Sequence, residues 1–196
     1  GKVLPLEYLQ SIPSFCRENN LASHLDGARV FNAAVASRVS LDKISRNFDS
    51  LSICLSKGLG TPMGSVLCGS RELIKEARKY RKMLGGGMRQ AGIVAAAGLY
   101  ALDNNIERLA DDHVNAQLLA TELAQIDGIE LVAVNTNMLF IKVAHGYAEL
   151  RKALFSQGII FPKAANKAGL IRLATHLDVS HSDILRVVTE IKRFMR

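Results

Sequence analysis

The sequence predicts an α/β protein in two parts, a larger α/β unit over residues 1–105 and a small α+β unit over residues 106–196. Three observations predict it. Short apolar strand-like runs alternate with helical patterns in the first half, the order expected of a sheet with crossover helices. Two of those runs end in a polar residue followed by glycine, Asp26-Gly27 and Lys57-Gly58. From Gly128 the texture changes to an αββαββα order, which reads as a separate small sheet with helices on one face. The boundary falls near Asn105.

Pro5 to Asn20 has Leu6, Leu9, Ile12 and Phe15 at helical spacing, with Pro13 interrupting the pattern. Leu21–Leu25 reads as a short strand with Asp26-Gly27-Ala28-Arg29 as its turn, and Val30–Ala36 as a helix of small apolar residues. Phe48–Leu55 is the second strand and leads into Ser56-Lys57. The glycine-rich turn Gly58-Leu59-Gly60-Thr61-Pro62-Met63-Gly64 then enters a third strand, Ser65–Cys68. A loop this short allows the second and third strands to be antiparallel neighbours. Arg71–Lys82 is a basic helix, Gly85-Gly86-Gly87 a flexible break, and Ala91–Leu102 a helix of small residues expected to be buried on most sides. A long amphipathic run covers Ile106–Ile126. Ile129–Val134 and Met138–Val143 are strands, Tyr147–Gln157 a helix, and Ile159–Phe161 and Leu170–Ala174 strands again. Ser180 stands at the N-cap of a last helix to Phe194, with Asp183 three residues on.

Composition excludes several functions. Nearly half the residues are apolar and 22% are charged, as in a folded globular chain. No apolar run approaches the ~20 residues needed to span a bilayer, and no signal peptide opens the chain, so the expected compartment is the cytosol with no membrane partner. Cys16, Cys54 and Cys68 form no CxxC pair and are expected to be reduced. The five histidines make no metal-ligand spacing, and no metal is expected. The net charge of +7 is densest in Arg71–Lys82. Its apolar residues fall at helical spacing, so the basic side reads as a solvated face; no nucleic-acid partner is expected.

Lys57 and Asp26 carry the chemistry. Each stands where an apolar strand ends and a glycine follows, and ligands of α/β sheets bind at such carboxyl ends. A lysine desolvated there is a usable amine nucleophile toward a carbonyl. A carboxylate facing the same crevice suits a pyridinium nitrogen. Arg29, three residues on, suits a substrate carboxylate, which a guanidinium grips bidentately. Taken singly, Lys57 reads as a lysine that merely ends a strand and reaches solvent, and Asp26 reads also as a turn or helix-cap aspartate; it is the pair that favours a site.

Together the segments HLDGAR (24–29), CLSKGLGTPMGS (54–65), RKMLGGGMRQAG (81–92), TNMLF (136–140) and IRLATHLDVS (171–180) resemble the low-specificity L-threonine aldolases. The resemblance runs in order along the whole chain. It implies the aspartate-aminotransferase-like fold, with residues 1–105 as the C-terminal part of its large pyridoxal-phosphate-binding domain. It implies cleavage of β-hydroxy-α-amino acids such as L-threonine or L-allo-threonine to glycine and an aldehyde. Lys57 matches the lysine that holds pyridoxal 5'-phosphate as a Schiff base, and Asp26 the acid paired with its ring nitrogen. Arg29 and Arg172 match the arginines of the substrate carboxylate. Arg89 matches an arginine that reaches the cofactor phosphate of a neighbouring subunit, with Lys82 near that shared site. A homo-oligomer, a dimer of dimers, is implied as well. Family members carry a further N-terminal half that supplies the phosphate-cupping turn and the histidine stacked on the ring. Gly1-Lys2-Val3-Leu4-Pro5 reads like the middle of such a protein. Without that half, the apolar faces of Leu21–Leu25 and Phe48–Leu55 are expected to lack cover. Rival readings are another pyridoxal-phosphate enzyme of the same fold (a β-eliminating lyase, an aminotransferase or a serine hydroxymethyltransferase) and a non-catalytic basic binding domain.

Overall fold

The computed structural model describes residues 1–163 and 169–195. The chain divides into two compact units, Lys2–Leu109, and Ala110–Arg196 together with Gly1.

In the first unit, helix α1 (Leu6–Glu18) accommodates Pro13 and buries Leu9. Strand β1 is His24–Gly27 and not the expected Leu21–Leu25. The Leu21 amide instead closes the end of α1 by donating to Cys16 O (2.9 Å), after Asn20 turns through a positive φ of 52°. Pairing starts where the Ser23 amide and hydroxyl donate to the Asp49 carboxylate (2.7 and 2.9 Å). Those bonds hold the Asp49 carboxyl below its ordinary range. Helix α2 (Val30–Ser37) and a short helix α3 (Leu41–Ser45), which the sequence reading did not anticipate, lead to β2 (Ser50–Cys54). Strand β1 pairs with β2 in parallel, and β2 pairs with β3 (Ser65–Gly69) antiparallel, as the short connecting loop suggests.

The alternation of the strands sorts this sheet into two faces. Leu51 and Ile53, with Leu55 just beyond, are buried together with Leu9, Val30, Phe31 and Ile44. The expectation that Phe48–Leu55 lacks cover is therefore wrong: α1, α2 and α3 of the same unit supply it. The opposite face carries His24 and Asp26 beside Ser50, Ser52 and Cys54, and His24 Nδ1 lies 2.9 Å from Ser50 Oγ.

Helix α4 (Arg71–Met83) is capped by Ser70 and buries none of its residues, as a solvated basic helix should. Helix α5 (Gly92–Asn104) corrects the expectation of burial on most sides, since only Gly98 and Ala101 are buried. The core of this unit takes one narrow strip of the helix, where a Cβ on Gly98 would lie 3.1 Å from Leu55. Ile93, Leu99 and Tyr100 stay exposed.

In the second unit, α6 (Leu109–Leu123, its first residue contributed by the first unit), α7 (Tyr147–Ser156) and α8 (His181–Met195) pack on an antiparallel sheet ordered β4-β5-β6. The strands are β4 (Ile129–Asn135), β5 (Met138–Val143) and β6 (Ile171–Ala174). Leu139, Ile141, Ile171 and Leu173 meet Leu123, Leu150, Leu154, Ile184 and Ile191 in one core. The Ser180–Asp183 cap forms as expected: the Asp183 amide donates to Ser180 Oγ (3.2 Å) and the Ser180 amide to Asp183 Oδ2 (2.9 Å). The expected strand Ile159–Phe161 does not form. The carbonyls of Phe161 and Pro162 are taken by side chains, from Arg151 Nε (3.1 Å) and Tyr147 Oη (2.6 Å), and Pro162 has no N–H for a ladder.

Candidate active site

Parallel pairing of β1 and β2 brings their carboxyl ends to one edge of the sheet. Asp26 stands in β1 itself, in register with Ser52, and Gly27 is the last strand residue. This corrects the expectation that Asp26 belongs to the turn. Its side chain is exposed on the polar face, and Oδ1 accepts the Ala28 amide (3.1 Å), which shapes the bend into α2. Gly27 leaves no room for a side chain against the neighbouring strand, because a Cβ there would lie 2.6 Å from the Ser52 carbonyl oxygen. Arg29 is half-buried at the N-cap position of α2.

Lys57 follows β2 by three residues and is half-buried. Its carbonyl accepts the Gly60 amide (2.8 Å) in a turn that needs the positive φ of 75° at Gly60. The rest of the loop is fastened from several sides. Leu55 N donates to Gly64 O (3.0 Å), Thr61 N to Leu55 O (3.2 Å), and Asn105 Nδ2 to Leu59 O (2.8 Å). Leu59 is only 3% exposed. The lysine thus rides on a rigid turn, as a positioned reactive group requires.

The Lys57 turn lies against the first turn of α2 at Gly58. A Cβ on Gly58 would lie 3.3 Å from Oδ1 of Asn32, on the first turn of α2 and three residues from Arg29, and 2.7 Å from Leu109. Asp26, Arg29 and Lys57 therefore stand on two adjoining turns of one sheet edge. Asn32, which is 3% exposed, and Asn105 support this arrangement and were missed in the sequence. Both act across long sequence separations, so no local pattern marks them.

Lys82 and Arg89 do not share that edge. Both are exposed, Lys82 on the last turn of α4 and Arg89 in the connection to α5. The glycine run serves Lys82 locally: a Cβ on Gly87 would lie 2.8 Å from its Cδ. Arg172 belongs to the second unit. It is exposed on β6, opposite Phe140 of β5, on the sheet face turned away from the helices. Among the described residues no group of three or more His, Cys, Asp or Glu side chains is placed to hold a metal ion, and no helix is long and apolar enough to cross a membrane.

Comparison with known proteins adds the family. The chain is 48% identical over 196 residues to the low specificity L-threonine aldolase of Escherichia coli (strain K12), an alignment that takes in all of this chain and 57% of that protein. It is 40% identical over 190 residues to low-specificity L-threonine aldolase 1 of Arabidopsis thaliana, covering 94% of this chain and 52% of that protein. The chain thus spans a little over half the length of these relatives. Its fold matches a Listeria monocytogenes crystal structure described provisionally as an L-allo-threonine aldolase, with a TM-score of 0.84 at 22% identity, over 98% of this chain and 56% of that one. A family model described as beta-eliminating lyase matches residues 1–145, which takes in the whole sheet edge bearing Asp26 and Lys57. The chain belongs to the beta-eliminating lyase family.

Proposed function

We propose that this chain is the lysine-bearing part of a pyridoxal-phosphate-dependent aldolase that cleaves L-threonine, L-allo-threonine and related β-hydroxy-α-amino acids to glycine and an aldehyde. The observation that carries the reading is the sheet edge itself: an acid, an arginine and a lysine on two adjoining turns, with a rigid loop under the lysine. The donor set suits pyridoxal phosphate, whose aldehyde calls for an amine and whose pyridine nitrogen calls for a carboxylate. When bound, that group supplies an electron sink for a carbanion at the substrate's α-carbon. Lys57 would hold it covalently through Nζ, and Asp26, its carboxylate oriented by the Ala28 amide, would keep a proton at the ring nitrogen. Arg29 and Arg172 are assigned to the substrate carboxylate, and Arg89 and Lys82 to the cofactor phosphate across a subunit contact. Residues 1–105 would then be the C-terminal part of the cofactor domain and residues 106–196 the small domain. The assembly would be a homo-oligomer, a dimer of dimers, in the cytosol, completed by the N-terminal half of the same protein. What supports these finer assignments is the match of Lys57, Asp26, Arg29, Lys82, Arg89 and Arg172 to the motifs of the threonine aldolases.

The family's description favours one rival, β-elimination. The two reactions leave different products from the same amino-acid class, so a product assay on the holoenzyme separates them. Acetaldehyde with equimolar glycine from L-threonine is the expected result; ammonia with a 2-oxo acid would replace the aldolase by an eliminating lyase.

Arg172 offers a sharper check. Arg172→Lys keeps the charge but loses the planar fork, so it is not a conservative change at a carboxylate site. KM for threonine should rise about tenfold or more, on the scale of a ~1.5–3 kcal/mol charged hydrogen bond. An unchanged KM with intact cofactor absorbance would remove Arg172 from the site.

A further inference from the structure

The peptide that joins Leu59 to Gly60 is held at both of its polar ends. Its N–H donates to the Lys57 carbonyl (2.8 Å), closing the turn that carries the lysine. Its carbonyl, on Leu59, accepts from Nδ2 of Asn105 (2.8 Å), 46 residues further along the chain. Asn105, one peptide plane and the backbone of Lys57 therefore form a single line of two hydrogen bonds. Leu59 is buried, so little water reaches this peptide to stand in for the asparagine. Asn105 is itself a fixed donor. Its amide closes α5 by donating to the carbonyl of the buried Ala101 (2.9 Å), and Ile106 and Leu109 beyond it pack into the core of the same unit. The bonds from Leu55 N to Gly64 O and from Thr61 N to Leu55 O tie the arms of the loop to each other. The Asn105 bond ties the turn to a helix instead.

We infer that Asn105 is a positioning residue for Lys57: through the Leu59–Gly60 peptide its carboxamide fixes the backbone from which the lysine projects. The inference rests on the reading of Lys57 as the cofactor-holding lysine. Rotation of that peptide would turn its N–H away from Lys57 and release the closing bond of the turn. Gly60, at a positive φ of 75°, offers little resistance to such a rotation, because glycine populates many backbone conformations. A donor on the far side of the plane removes the freedom. With the oxygen pinned, the N–H stays aimed at Lys57. The two bonds also strengthen each other, since a carbonyl that accepts polarises the N–H of its own peptide. A lysine that must form and release a covalent bond at one place in every turnover needs such a base. Misplacement of a reacting group by about 1 Å costs on the order of 100-fold in rate.

The test uses the full-length, pyridoxal-phosphate-loaded enzyme and three variants, Asn105→Ala, Asn105→Leu and Ile44→Val. For each, kcat, KM, the pH midpoint of the visible cofactor band and the thermal midpoint are measured. Asn105→Ala removes the donor, and Asn105→Leu removes it while keeping the volume. Both should lower kcat about threefold to tenfold, with KM for threonine within about twofold, the scale of one buried hydrogen bond. Both should also move the pH midpoint of the band by about half a unit or more, because the Lys57 nitrogen no longer sits in its native place. Ile44→Val trims the core of the same unit and should lower the thermal midpoint comparably, yet leave kcat and the band unchanged. Native kcat and a native band in both Asn105 variants, or equal losses in Ile44→Val, would show a purely structural bond and overturn the inference alone. Loss of the fold in both Asn105 variants would overturn it in the same way. Borohydride trapping on the native enzyme separates the two claims. An adduct away from Lys57 removes the reading of Lys57, and the inference falls with it.

Discussion

Lys57→Ala in the holoenzyme is expected to abolish both aldolase turnover and the visible absorbance of the lysine-bound cofactor. The expectation follows from position. Lys57 stands three residues beyond β2, on the edge where β1 and β2 end together, and the loop that carries it is fastened by Thr61, Gly64 and Asn105. A methyl group supplies no amine, and no rearrangement of so closed a turn brings another lysine to the same point. Borohydride reduction of the native holoenzyme, followed by peptide mapping, should place the trapped adduct on Lys57. An adduct on Lys82 or Lys163 would show the assignment to be mistaken. Because Lys57 is half-buried and its turn is stabilised by backbone bonds, the variant should fold, so lost activity with an intact thermal transition is the informative pattern.

Gly27→Ala should be nearly as damaging, by a different route. The added Cβ would stand 2.6 Å from the Ser52 carbonyl oxygen and 3.3 Å from Val30 Cβ. Side chains yield to such pressure, but here the obstacle is the backbone of the neighbouring strand, at the carboxyl end of a parallel pair. Overpacking of a well-filled site costs roughly 1–3 kcal/mol and occasionally more, and a backbone obstacle belongs at the upper end, at about 3 kcal/mol. That is a large share of the ~5–15 kcal/mol that holds a domain folded. Relief by parting β1 from β2 would carry Asp26 and Arg29 away from the Lys57 turn. Purified Gly27→Ala protein should therefore show a lowered midpoint and weakened cofactor retention together. A native midpoint would mean that the strands tolerate more separation than their register suggests. Gly58→Ala makes a milder contrast, since its 2.7 Å contact is with the flexible end of the Leu109 side chain.

The amino-acid sequence by itself determined most helices and five of the six strands among the described residues to within about two residues, because their apolar periodicity and caps are local properties. Ser180 with Asp183, the basic face of α4, and the alternation in β2 and β5 needed no tertiary knowledge. It also singled out Asp26, Arg29 and Lys57, since an acid or a lysine before glycine at the end of an apolar run is visible in one dimension. Only the tertiary structure decided the rest. Whether Leu21 belonged to a strand or to the close of α1 depended on a bond between Ser23 and Asp49, 26 residues apart. Whether α5 was buried depended on how much of it Leu55 and its neighbours accept, which small apolar composition does not record. Residues 159–161 have the side chains of a strand, yet their segment is held by Tyr147 and Arg151 beside a proline. A residue's type fixes which bonds it is able to make; which of them it makes is set by what the fold places within about 3 Å of it.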